Sequence, residues 1–82
     1  MILEPGDVVL SRGEYASFQV LFHATGRWWP CHFDFKNAFL VLDVELFEDS
    51  QHARLLPLGN DGLDDWWFAG SFDDWCTLDK LG

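Results

Sequence analysis

Apolar and polar positions alternate in short runs along this chain, and turn residues cut the runs at short, regular spacing, which is the pattern of an all-β domain. Glu4-Pro5-Gly6-Asp7 reads as a turn, with Pro fixing one dihedral and Gly freeing the next, and Val8-Val9-Leu10 as the strand after it. Phe18, Val20 and Phe22 alternate with Gln19, Leu21 and His23, which predicts a second strand. Residues 24–36 have no period and contain Gly26, Pro30 and two adjacent Trp; they are expected to form an irregular excursion. Phe39–Phe47 is the strongest strand signal. Leu40, Leu42, Val44 and Leu46 fill one face, which is expected to be the centre of the core, while Phe39, Val41, Asp43, Glu45 and Phe47 turn polar part-way. Glu48-Asp49-Ser50-Gln51 predicts a hairpin turn and Ala53–Leu58 the returning strand, with Pro57 at an edge or bulge. Gly59-Asn60-Asp61-Gly62 is the clearest turn signal, and residues 65–69 a further strand with Trp66 and Trp67 on opposite faces. Ser71 with Asp74 has the form of a capping box, so one helical turn is expected at 71–75, followed by a short strand.

Length sets the frame for this pattern. The 82 residues make one domain, 1–82, too short to bury more than ~60–65% of its unfolded surface. Five Trp and eight Phe offset the thin core, at roughly 150–250 Å² each. No apolar run reaches the ~20 residues that span a bilayer, and Met1–Pro5 has neither a basic nor an apolar leader region, so a cytoplasmic protein is expected. Cys31 and Cys76 are expected to be free thiols in that compartment.

Charge excludes some partners. There are 14 Asp plus Glu against 5 Lys plus Arg, a net charge of -9, and the five cations stand singly. Direct binding of nucleic acid or of an anionic membrane needs clustered Lys or Arg and is not expected.

The residues that could carry chemistry do not assemble into a site. His23, Cys31, His32 and Cys76 have none of the tight pair spacings of a zinc centre, so no metal or other cofactor is expected. No Ser sits in a nucleophile elbow, and the adjacent acids Asp64-Asp65 and Asp73-Asp74 put one carboxylate on each side of a strand, as solvated acids do. The chain is therefore read as non-enzymatic.

Two features suit recognition. Arg27-Trp28-Trp29-Pro30 has the composition of a binding hot spot, or alternatively of rings that plug the end of a small barrel. From Asp61 to Asp79 six acids and no base interleave with Trp66, Trp67, Phe68, Phe72 and Trp75, which is either a solvated face or a surface for a basic partner. The candidate partner-binding residues are Arg27, Trp28, Trp29, Asp64, Asp65, Trp67, Asp73 and Asp74.

The order of features resembles a known family. Pro5-Gly6-Asp7 before a short strand, the strand Phe39–Val44, the return Arg54–Leu58, Trp66-Trp67 after a Gly-containing hairpin, and Leu78 with Leu81 look like the SH3-like small β-barrels of small bacteriophage proteins, over about half the chain. The resemblance implies a five-stranded barrel that docks onto other proteins and has no active site; with the turn expected at 71–75, the expected fold is a mostly-β, SH3-like five-stranded barrel with one short helical turn near the C-terminus. Glu4–Leu10 followed by Thr25-Gly26 also looks like the opening of papain-like amidase domains, but Cys31 and His32 are adjacent here and cannot form that catalytic pair. The expectation is a protein-interaction module, a phage accessory or virion-associated protein. The alternative is a small acidic inhibitor, of the anti-defence or nucleic-acid-mimic type, that blocks the basic site of a host nucleic-acid enzyme.

Overall fold

Turn chemistry opens the fold. Gly6 takes φ +95°, which only glycine adopts without strain, and the Glu4 amide donates to the Asp7 carboxylate at 2.8 Å. The turn is stitched to the middle of the chain, because the Gly6 amide donates to the Val41 carbonyl and the Val41 amide to the Asp7 carbonyl, both at 2.8 Å. The computed structural model describes residues 1–12, 18–22, 25–31, 36–59 and 65–81.

Seven strands and one short helix follow in chain order: β1 (Val8–Arg12), β2 (Phe18–Phe22), β3 (Arg27–Cys31), β4 (Lys36–Leu46), β5 (Ser50–Pro57), β6 (Trp66–Ser71), α1 (Phe72–Trp75) and β7 (Leu78–Leu81). All neighbouring pairs are antiparallel, in the order β3-β2-β6-β5-β4-β1-β7. The mostly-β expectation holds. The five-stranded barrel does not: the described residues form seven strands in one sheet that is not closed into a barrel. The physical reason lies in the segment expected to be irregular. Gly26 at φ +66° helps turn the chain after β2, and residues 27–31 then pair with β2 as an added strand, Phe18 opposite Cys31 and Val20 opposite Trp29. That hairpin lengthens the sheet at one end.

The second correction concerns the core. The even-numbered face of β4 was expected to be its centre, yet the buried residues are Phe39 and Val41, and Leu46 is 56% exposed. A β-bulge explains the difference. Val41 pairs with Leu55 but Asp43 pairs with Arg54, so one extra residue sits in β4 and the side-chain alternation flips across it. Before the bulge the odd positions point inward. After it Val44 does, opposite buried Ala53. Leu40 and Leu42 fall on the outer side and are only half-buried.

The core gathers on the inner face: Val9 from β1, Phe18 from β2, Phe39 and Val41 from β4, Ala53 and Leu55 from β5, Phe68 from β6, Leu78 from β7, and Leu3 and Trp75 as covers. Trp75 is the largest fully buried side chain. It meets Phe18 edge-on at 4.7 Å and donates its indole N–H to the Gln51 carbonyl at 2.9 Å. The capping box forms as the sequence predicts: the Asp74 amide donates to Ser71 Oγ at 3.1 Å and the Ser71 amide to the Asp74 carboxylate at 3.2 Å.

Candidate interaction face

Among the described residues there is no pocket, no group of His, Cys, Asp or Glu placed to hold a metal ion, and no helix long and apolar enough to cross a membrane. Cys31 and Cys76 are both free thiols. The register shows which described residues share the outer face of the sheet. Glu45 stands opposite His52, His52 opposite Ala69, Ala69 opposite Gln19 and Gln19 opposite Pro30, so this row runs across five strands on the outer side of the sheet. Residues of the same parity join it: Trp28 on β3, Trp67 on β6, Arg54 on β5 and Phe47 just past β4.

One aromatic group forms on this face. The His52 ring lies 4.5 Å from Phe47 and 5.0 Å from Trp28, tilted against both. Trp28 reaches His52 across the two intervening strands, β2 and β6. Trp28 is 37% and Phe47 48% exposed although both rings have a packing partner. Aromatic rings held in place at low entropic cost but left in water are the raw material of binding hot spots.

The charges around them are uneven. Arg54 spans Asp43 and Asp65, Arg12 pairs with Asp79 at 3.7 Å and also donates to the carbonyls of Cys76 and Thr77, and Lys80 pairs with Asp7 at 3.2 Å. Arg54 Nε, buried and 3.4 Å from Asp65, is not aligned to hydrogen-bond it. No described Lys or Arg pairs with Glu45, Glu48 or Asp49, all exposed beside Phe47 and the tip between β4 and β5.

The residues singled out in the sequence are distributed unevenly by this geometry. Trp28 lies in the aromatic group, and Trp67 and Asp65 are half-buried on the same outer side. Arg27 and Trp29 are exposed but have the opposite parity, so β3 presents one Trp to each side. Neither Trp plugs a barrel end. Asp74 is spent on the capping box, Asp73 is exposed on α1, and Asp64 lies outside the described residues. Pairing with Arg54 and Arg12 engages Asp65 and Asp79, so two of the six acids from Asp61 to Asp79 are matched by cations far away in sequence.

Phe47, His52 and Glu45 were missed. Only Phe47 carries a signal in the sequence, since it ends an apolar strand and abuts Glu48-Asp49 at a hairpin, where a buried role is hard to supply; His52 and Glu45 join it through register. Compared with protein-family models, with curated proteins and with solved structures, the chain matches none of them.

Proposed function

We propose that this chain is a non-enzymatic protein-interaction module that docks a partner with a basic, partly apolar surface on the outer face around Trp28, His52 and Phe47. One observation carries the reading: two large rings are fixed against the same imidazole yet remain open to water, beside carboxylates that no described cation neutralises. Apolar rings supply affinity when covered, and the carboxylates speed association and orient the partner. The chain's net charge of -9 suits a basic partner and opposes self-association. Its small β-fold suits a bacteriophage accessory or virion-associated protein working in the host cytoplasm. The docking mode is through side chains. Pro30, opposite Gln19, has no N–H, so a regular ladder with β2 turns its backbone toward the open side of β3, where it blunts addition of another strand.

The second reading, an acidic inhibitor filling the basic site of a nucleic-acid enzyme, rests on the same carboxylates. A salt series separates the two. Exposed charges are screened over ~8–10 Å at physiological ionic strength. A charge-driven inhibitor loses affinity steeply as salt rises, whereas docking through the rings falls only in association rate. The test of docking itself is Trp28→Ser and Phe47→Ser, each compared with wild type for capture of the same partner from the source cell. Loss at both with unchanged circular dichroism supports the face. Undiminished capture by both overturns it.

A further inference from the structure

The aromatic group and the carboxylate next to it share a geometry that is more specific than a sticky patch. Glu45 and His52 are directly opposed on neighbouring antiparallel strands, which sets their Cβ atoms ~4.5–5.5 Å apart on one face. Phe47 and Trp28 both pack against the His52 ring, with centroids at 4.5 and 5.0 Å. A ring face open to water, a second ring beside it and a carboxylate within one side-chain length make up the two halves of a cation site: a π surface and a counter-charge. Trp offers the strongest π face of any side chain, and Trp28 remains 37% exposed.

We propose that this group is a subsite for the guanidinium of a partner arginine, stacked on Trp28 and paired with Glu45, with Phe47 and His52 holding the platform. The proposal rests on the docking reading and deepens it by naming the chemistry recognised. Arginine fits better than lysine for two reasons. Its planar cation stacks on an indole while its N–H groups, which lie in the same plane, reach a carboxylate at the side. It is also weakly hydrated, so covering it costs less than covering an ammonium. The chain does not occupy the subsite with its own described cations, since Arg12, Arg54 and Lys80 are paired elsewhere and Arg27 projects to the other side of β3.

The test uses the full chain labelled with nitrogen-15 and three probes: N-acetyl-arginine amide, N-acetyl-citrulline amide and N-acetyl-lysine amide. Citrulline keeps the shape and planarity of arginine and removes the charge. The expected result is a saturable shift of the Trp28 indole N–H and the His52 amide with the arginine probe, a weaker response with lysine, and none with citrulline. In Glu45→Gln the arginine response weakens roughly three-fold or more, the scale of one exposed ion pair. Equal responses to arginine and citrulline, or shifts confined to other parts of the sheet, overturn the proposal. The wild-type comparison of probes needs no variant, so a folding defect in Glu45→Gln cannot obscure the answer. If capture of the partner depends on Trp28 while the probes fail to distinguish arginine from citrulline, the subsite falls and the docking reading stands.

Discussion

Three residues carry more of the structure than their types suggest. Gln51 is fully buried, and its side chain serves as a clasp for the first residues: the Leu3 amide donates to Gln51 Oε1 at 3.1 Å and Gln51 Nε2 donates to the Met1 carbonyl at 2.6 Å. Gln51→Leu leaves that amide and that carbonyl without their partner, and chemical denaturation should show a loss of ~1–3 kcal/mol. Gly70 is needed for space. A Cβ there would come within 2.8 Å of the Phe18 ring and 3.3 Å of the Trp75 indole nitrogen, two side chains of the packed core. Gly70→Ala should therefore cost ~1–3 kcal/mol by overpacking, in contrast to a solvent-facing Gly→Ala change. Asp7 titrates below the ordinary aspartate range, chiefly because the Glu4 amide donates to its carboxylate; desolvation opposes this, and Lys80 adds to the lowering. A depressed folded value stabilises the fold above the unfolded pKa, and that stability is lost as pH falls through the folded value. The melting-temperature gap between wild type and Asp7→Asn should be open at neutral pH and close in acid; a gap independent of pH would contradict this.

At the scale of elements, the most instructive segment is β4. Period-two alternation placed the strand well, but it presumes an unbroken pleat, and the extra residue between Val41 and Asp43 reverses which side faces the core. No local residue announces that bulge: there is no Gly or Pro in Lys36–Leu46, and the apolar run continues through it. The consequence is measurable. Leu55→Ala, opposite Val41 in the core, should cost ~2–5 kcal/mol, whereas Leu46→Ala at the exposed end should stay within about 0.5 kcal/mol. Equal losses would restore the unbroken register. The strand β3 escaped notice for a different reason. Arg27–Cys31 has no alternation because as an end strand it is mostly exposed on both sides, so the pattern that reveals strands is absent where burial is absent. Local chemistry was the legible part. The Pro5-Gly6 turn and the Ser71/Asp74 box are set by nearest neighbours and can be read without the fold. The candidate face was half legible: Trp28 stood out by composition, while its partnership with His52 and Phe47 depends on long-range register.

For the molecule as a whole, the same limit applies to charge. Along the chain, acids without an intervening base run from Asp61 to Asp79; in three dimensions Arg54 and Arg12 reach that stretch, and among the described residues Glu45, Glu48 and Asp49 lie beside exposed rings with no described Lys or Arg paired to them. The docking proposal therefore places recognition on the outer face between β3 and the tip of the β4–β5 hairpin. The most direct test is site-specific photocrosslinking in the source cell, with a benzoylphenylalanine at position 28 and, as a control, at exposed position 81 on β7, at the opposite end of the sheet from β3. The account predicts a discrete crosslinked protein species from position 28 that disappears when Phe47 is also changed to Ser, and none from the control. A species formed equally from position 81, or one from position 28 that survives Phe47→Ser undiminished, would contradict it.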